Sequence, residues 1–149
     1  MTTVVCDRKG MASDLQATLG KDLKFKVKGK AEHFPDGSPL YPALGEFMVG
    51  FAGNVNEWVE FLDYLIAPEG YKRPPKVEIQ LLFLTKKGQI FYGSAADRII
   101  AVNEPYFSIG SGSVAAMGAL HAGATLKDTI KAASKIDPNT GMGIKEYNF

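Results

Sequence analysis

Thr2 directly follows Met1, and a threonine in this position can act as a catalytic residue at the N-terminus of a chain. Initiator methionine is generally excised before small residues, and removal of Met1 gives Thr2 a free α-amino group. The reference pKa of such a group is about 7.7–8.0, so near neutral pH it can accept the hydroxyl proton of the same residue. Because nucleophile and base share one backbone, positioning them costs little entropy. The predicted chemistry is attack of the Thr2 hydroxyl on a carbonyl group.

Three further groups are needed before a threonine hydroxyl becomes an effective nucleophile. A cation favours the alkoxide, a carboxylate holds that cation in place, and a backbone N–H binds the oxyanion that forms during attack. By itself, however, a Met-Thr-Thr start is far more typical of an ordinary edge strand than of a catalytic terminus. The rest of the sequence has to distinguish these two interpretations.

The elements that would position these groups begin with a β-hairpin, in which the polar turn DRKG joins the strands TTVVC and GMAS. LKFKVKGKA alternates apolar and basic residues and predicts a half-buried strand with its lysines in solvent. HFPDGSPLYPALG is rich in proline and glycine and predicts a loop. EFMVGFAG predicts an apolar strand that ends at Gly53.

A helix is predicted after Gly53, with Asn54 as its N-cap. Its apolar residues recur at spacings of three and four, which favours core or core plus a subunit interface. They are Val55, Trp58, Val59, Leu62, Leu65 and Ile66.

The second half of the chain predicts a hairpin in VEIQLLFLTKKGQIFYGS and short strands in RIIAVN and YFSIG. Helices in SGSVAAMGALHAG and TLKDTIKAASKI follow, the second capped by Thr125, and GIKEYNF predicts a last strand. This order favours sheets with helices packed outside them, in one domain that spans residues 1–149.

Composition excludes several functional classes. The net charge is +1, so nothing indicates binding to nucleic acid or a membrane surface. A single cysteine excludes a disulfide framework and a cysteine-based zinc site. The longest strongly apolar runs fall far short of the roughly 18 residues of a membrane helix, and no signal peptide is evident. We therefore expect a soluble protein of a reducing compartment, the cytoplasm.

The segments TTVV, SDLQATLG, MVGFAG and SIGSGS resemble the proteasome β-subunit family of N-terminal nucleophile hydrolases, and within it the HslV (ClpQ) peptidases. With DPNTG, five markers follow the family order from Thr2 to about Gly141. The resemblance implies an α+β fold, a shortened four-layer αββα sandwich. It also implies a threonine peptidase that cleaves peptides or unfolded proteins in a homo-oligomeric ring, without metal or organic cofactor. An AAA+ ATPase unfoldase is the partner that it implies.

The same resemblance assigns the site residues. Thr2 matches the nucleophile, and Asp14, just ahead of LQATLG, matches the aspartate that pairs with the catalytic lysine. Counting from QATLG without a gap places that lysine at Lys30, with Lys28 as the alternative if residues are inserted. Gly53 matches the glycine whose N–H forms the oxyanion hole, and a helix N-terminus is independently an anion site.

The remaining matches are residues that orient the N-terminal amine. They are Ser111, Asp137 and Thr140, the last replacing the commoner serine. Departures from the family include a first hairpin that is about four residues shorter and the lack of most of a second helix after Ile66. NVNEW also stands after Gly53 where small residues are usual.

Other functions stay open at this point. One is an inactive, ring-forming protein that retains Met1, and another is an amidase that acts on a small molecule. A phosphate site at SIGSGS is disfavoured because no lysine follows in the P-loop register. Cys6 is expected to be buried and inert, and His121 to be a packed or surface residue rather than a ligand.

Overall fold

A computed structural model describes residues 2–19, 23–66, 78–95 and 98–149. The strands are β1 (Thr3–Asp7), β2 (Gly10–Asp14), β3 (Gln16–Leu19), β4 (Leu23–Lys26), β5 (Ala31–Phe34), β6 (Phe47–Ala52), β7 (Gln80–Thr85), β8 (Ile90–Ala95), β9 (Arg98–Val102), β10 (Tyr106–Gly110) and β11 (Ile144–Asn148). The helices are α1 (Val55–Ile66), α2 (Ser113–His121) and α3 (Leu126–Ile136).

Two antiparallel sheets face each other. One has four strands in the order β10-β1-β2-β11, and the other has five strands in the order β5-β6-β7-β8-β9. Helices α2 and α3 pack on the outer face of the four-stranded sheet, and α1 packs on the outer face of the five-stranded sheet. This arrangement confirms the predicted αββα sandwich. Within the described ranges, no helix has the length and apolar character that crossing a bilayer requires.

The core between the two sheets follows from the alternation of side chains along β1. Val4 and Cys6 point inward against Met48 and Leu82 of the opposite sheet, whereas Val5 points outward towards α2 and α3. Cys6 is fully buried, as expected, and burial raises the pKa of its thiol well above the ordinary value. The central strand that follows Thr2 is therefore packed on both faces.

The prediction of a half-buried strand in LKFKVKGKA is wrong. Strand β4 is exposed along its whole length, with Leu23 58% and Phe25 44% exposed. Among the residues that the structure describes, it pairs only with β3, in a two-stranded sheet separate from the two main ones, so neither main sheet covers its apolar face. The predicted loop is also partly wrong, because His33 and Phe34 lie in β5 and pair with β6.

Helix α1 begins where it was predicted, and the Asn56 amide donates to the Asn54 side chain at 2.8 Å. Its buried face, however, is formed by Trp58, Phe61 and Leu65. Val59 is 51% exposed. Trp58 and Leu65 of the predicted set are therefore buried, and Phe61 stacks on Trp58 and packs in the aromatic core in the place predicted for Val59. Residues 67–77, where the sequence predicts no long second helix, lie outside the described residues.

Candidate active site

Thr2 is buried at the start of the central strand of the four-stranded sheet, with 2% of its surface exposed. The next residue, Thr3, pairs with Gly110 on β10. Gly110 has a φ of +99°, and a Cβ atom there would lie 1.8 Å from the Thr2 carbonyl oxygen. Only glycine permits this close approach. Sequence analysis did not single out Gly110, although it belongs to the SIGSGS segment.

Asp14 ends β2, the strand beside β1, and is fully buried. Its carboxylate accepts three backbone N–H groups, from Thr3 at 3.1 Å, Gly141 at 3.0 Å and Gln16 at 3.3 Å. It also accepts the hydroxyl of Thr2. Because backbone donors from three segments converge on both oxygens, the carboxylate is fixed in place.

Lys30 brings a positive charge into the same buried space, with 4% of the residue exposed. Its Nζ lies 2.9 Å from Asp14 Oδ1 and donates to Thr2 Oγ1 and to the Gln16 carbonyl oxygen. The three ammonium donors thus have three acceptors. Burial lowers the pKa of Lys30, and the neighbouring Asp14 carboxylate opposes that shift. Lys28, the alternative lysine, is exposed.

This triangle of hydroxyl, ammonium and carboxylate can make Thr2 more acidic. A positive charge in hydrogen-bond contact favours the alkoxide form of the hydroxyl. The interaction is stronger here than at a surface, because the buried groups are shielded from water. The Asp14 carboxylate keeps the ammonium aimed at the hydroxyl.

Ser111, Asp137 and Thr140 form a second polar cluster beside this triangle. Both hydroxyl groups donate to Asp137 Oδ2, from Thr140 at 2.7 Å. Burial raises the pKa of Asp137, but the hydrogen bonds from Ser111 and Thr140 outweigh it and leave that pKa below its ordinary value. Asp137 also acts electrostatically on Lys30. The predicted residues are therefore brought together.

Thr3 connects this second cluster to the N-terminal strand. Its hydroxyl lies 2.7 Å from the Thr140 hydroxyl and is fully buried with it. A Cβ atom on Gly112 would lie 2.1 Å from the Thr3 hydroxyl, so glycine at that position makes room for the contact. The contact of Thr3 with Thr140 was not predicted, although the two threonines at the start of the chain were the available signal.

A cavity of about 380 Å³ opens beside Thr2 and Lys30. Gly53 lies on its wall, at the junction between β6 and α1. The φ of Gly53 is +140°, and a Cβ atom there would lie 2.7 Å from Ile79 Cγ2, so both the conformation and the space require glycine. The rest of the lining is mainly apolar and aromatic. It includes Ala17, Phe25, Val27, Phe51, Val55 and Trp58.

No protein-family model matches the chain, and no curated protein matches it in sequence. Solved structures do match. BPH from Thiobacillus denitrificans aligns at 17% identity and a TM-score of 0.72, over 99% of this chain and 97% of BPH. HslV from Trypanosoma brucei aligns at 16% identity and a TM-score of 0.68, over 99% of both chains. The Anbu (Gly-1) mutant from Hyphomicrobium sp. strain MC1 aligns at 14% identity and a TM-score of 0.74, over 100% of this chain and 82% of Anbu.

Two further structures bear on chemistry and assembly in those proteins. BPH has also been solved in complex with epoxomicin, and Anbu from Pseudomonas aeruginosa as a helical assembly. At 13–17% identity these likenesses concern the backbone, and they agree with the two facing sheets and outer helices described above. The chain has the αββα fold that HslV, Anbu and BPH share.

Proposed function

We propose that the protein is an N-terminal threonine peptidase that becomes active when Met1 is removed. The observation that carries this proposal is the contact of one buried ammonium, Lys30 Nζ, with both Thr2 Oγ1 and Asp14 Oδ1. Burying a charged lysine is costly and is rarely found without a compensating partner. Here the lysine is placed against the side chain that would be the terminal nucleophile.

In the proposed first step, the free α-amino group of Thr2 takes the hydroxyl proton while Oγ1 attacks the carbonyl carbon of the scissile peptide bond. The Lys30 ammonium stabilises the developing alkoxide, and the Gly53 N–H donates to the oxyanion. Collapse of the tetrahedral intermediate breaks the C–N bond, and the amine returns its proton to the leaving nitrogen. The product is an ester between Thr2 and the acyl part of the substrate.

In the second step, water hydrolyses that ester. The α-amino group now takes a proton from water while the resulting hydroxide adds to the ester carbonyl. The bond between that carbon and Thr2 Oγ1 then breaks, and the ammonium returns its proton to Oγ1, which releases the acid and restores the Thr2 hydroxyl. We assign orientation of the amine and water to Asp137, whose carboxylate is itself held by Ser111 and Thr140. No metal or organic cofactor takes part in this scheme.

The cavity next to Thr2 is proposed to bind the side chain on the acyl side of the scissile bond. Its lining is mainly apolar, although Gln16, Thr18, Asn54 and Asn56 also border it. Among the described residues that line it, Lys30 is the one with a charge, and its ammonium is committed to Thr2 and Asp14. Burying a large apolar side chain there contributes about 1.5–3 kcal/mol, which is about 10- to 100-fold in kcat/KM. Leucine or phenylalanine at this substrate position is therefore expected to be preferred over aspartate.

Phe25 offers a test of this preference, because it lines the cavity from the exposed strand β4 and is not part of the core. We expect Phe25→Ser to lower kcat/KM for a leucine substrate by about 3- to 10-fold, through the loss of apolar contact. The value for an alanine substrate should stay within about 2-fold. Leu23→Ser is the matched control, since Leu23 is exposed on the same strand. An equal loss in both variants would contradict the assignment of the cavity.

Assembly into a ring and use of an AAA+ unfoldase belong to the same proposal. A homo-oligomer is supported by the fold shared with Anbu, for which a helical assembly is known, whereas the closed ring and the unfoldase rest on the resemblance to HslV in sequence. Exposed apolar residues on the outer face of α1, among them Val59 and Ile66, provide surface for subunit contacts. Analytical ultracentrifugation with negative-stain imaging tests the ring, and a small discrete oligomer without a central channel would favour a small-molecule amidase.

The state of the terminus is the primary test. Residue 1 lies outside the described residues, so the proposal requires an intact-mass measurement on protein expressed without an N-terminal tag. We expect the mass of the chain lacking Met1 and, after incubation with a peptide vinyl sulfone, one adduct that maps to Thr2. Retention of Met1 in the assembled protein would instead support the inactive, ring-forming alternative.

A further inference from the structure

The backbone of Lys30 is held from both sheets. Its N–H donates to the hydroxyl of Tyr147 at 3.1 Å, and Tyr147 lies on β11 of the four-stranded sheet. Its carbonyl oxygen accepts the N–H of Phe51 at 3.1 Å, and Phe51 lies on β6 of the five-stranded sheet. Both polar groups of the Lys30 backbone thus have partners where the chain enters β5.

Gly29 makes the tyrosine contact possible. A Cβ atom at position 29 would lie 2.1 Å from Tyr147 Oη and 3.3 Å from its Cζ. The first distance is far below van der Waals contact, so any other residue would displace the hydroxyl group. The glycine is needed here for space, and it ends the exposed lysine-rich segment one residue before the buried lysine.

The strand that carries Tyr147 also pairs with the strand that carries Asp14. Strand β11 pairs with β2 in a register that places Ile144 opposite Asp14 and Tyr147 opposite Met11. The Tyr147 ring packs against the core between the sheets, so its hydroxyl reaches from the strand beside Asp14 to the segment that carries Lys30. Burial is the main cause that raises the pKa of Tyr147, and the hydroxyl therefore stays protonated at neutral pH.

We propose that Tyr147 is a positioning residue that fixes the distance between Lys30 and the pair formed by Thr2 and Asp14. The catalytic effect of this positioning rests on the proposed function, because Lys30, which Tyr147 holds in place, is the lysine proposed to activate Thr2. The hydroxyl acts through the Lys30 backbone and does not touch the substrate. Gly29 has no side chain and so leaves room for the Tyr147 hydroxyl.

Tyr147→Phe is the direct test, since it removes one oxygen atom from a half-buried ring. A displacement of about 1 Å in a reacting group costs on the order of 100-fold, so we expect kcat to fall about 10- to 100-fold with KM within about 2-fold. Tyr106→Phe is the matched control, because the Tyr106 hydroxyl bonds His121 on the protein surface. That variant should keep wild-type kcat.

A readout that general destabilisation would not move is the pKa of the Lys30 ammonium, followed by NMR with 15N-labelled lysine. Loosening the segment admits water and relieves the burial that lowers this pKa, so in Tyr147→Phe it should move upward towards its ordinary value. Asp14 and Asp137, the carboxylates that act on Lys30, are present in both proteins. An unchanged Lys30 pKa and unchanged kcat in Tyr147→Phe would overturn the proposal.

A second variant tests the role of Gly29. Gly29→Ala should displace the hydroxyl and lower kcat at least as much as Tyr147→Phe. In the double variant, Gly29→Ala with Tyr147→Phe, the added methyl group no longer meets Oη. The fold-decrease in kcat of the double variant should therefore be well below the product of the two single fold-decreases. Independent, multiplicative losses would show that the two residues do not act through one contact.

Amide hydrogen exchange in the wild-type protein tests the same contact without any variant. The Lys30 amide should be protected, because its acceptor is the Tyr147 hydroxyl, and fast native-state exchange at Lys30 would contradict the proposal. If the wild-type protein hydrolyses no peptide, the peptidase proposal fails. The Lys30 pKa and amide exchange still decide whether Tyr147 positions Lys30.

Discussion

Thr2→Ala is expected to reduce peptide hydrolysis to background and to abolish labelling by a peptide vinyl sulfone. Removing the nucleophile of an acyl-transfer enzyme costs on the order of 10⁶-fold in kcat. Alanine is small, so Met1 should still be excised and the α-amino group should still be present. The variant therefore tests the hydroxyl alone. A fluorogenic peptide assay and intact mass after labelling measure the two effects.

Two further variants make this result specific. Thr2→Ser keeps a hydroxyl in contact with Lys30 and should retain measurable hydrolysis and labelling. Thr3→Ala removes the neighbouring hydroxyl, which contacts Thr140, and should weaken activity while the label still maps to position 2. Persistent activity in Thr2→Ala would show that another residue is the nucleophile.

Lys30→Met is expected to have the second largest effect, a loss of about 10²- to 10³-fold in kcat, the range typical of removing a group that stabilises developing negative charge. Methionine approximates the volume of lysine and removes its charge. The variant also leaves the Asp14 carboxylate buried without its ion-pair partner, and breaking such a pair costs about 3–5 kcal/mol in the free energy of unfolding. Fluorogenic assays and chemical denaturation measure the two quantities.

Lys28→Met is the matched control, since Lys28 is exposed two residues earlier on the same segment. Its free energy of unfolding should stay within about 0.5 kcal/mol of the wild-type value, and its kcat should be unchanged. Adding Asp14→Asn to Lys30→Met should cost little more activity than Lys30→Met alone, because groups that act as a unit lose their effect together. An inactive Lys28→Met with an active Lys30→Met would reverse the choice of lysine.

Local patterns and the family resemblance together predicted the fold and a set of candidate site residues that the structure brings together, while the catalytic roles of those residues stay predictions. A polar turn between two short apolar runs is sufficient to predict the hairpin that brings Asp14 beside β1. Lys30 came from the family resemblance, by a count from QATLG without a gap, with Lys28 as the alternative. The glycine at the end of an apolar strand, followed by Asn54 as N-cap, predicted the junction at Gly53.

What could not be predicted depends on contacts between distant segments. The hydrogen bond from Lys30 to Tyr147 joins residues 117 positions apart, and no pattern near either residue indicates it. The burial of Phe61 in place of Val59 depends on the aromatic core beneath α1. The apolar face of β4 has the alternation of a half-buried strand, but the sequence cannot show that no main sheet covers it.

The burial of Cys6 determines what a covalent probe will report. Vinyl sulfones react with thiolates as well as with activated hydroxyls, and this chain has one cysteine. Its thiol is fully buried between the sheets with a raised pKa, so native protein offers the reagent no competing thiolate. The adduct count in native protein therefore carries no contribution from cysteine. Once the sheets separate, one new thiol per chain becomes reactive, and a thiol reagent can count unfolded molecules in the same sample.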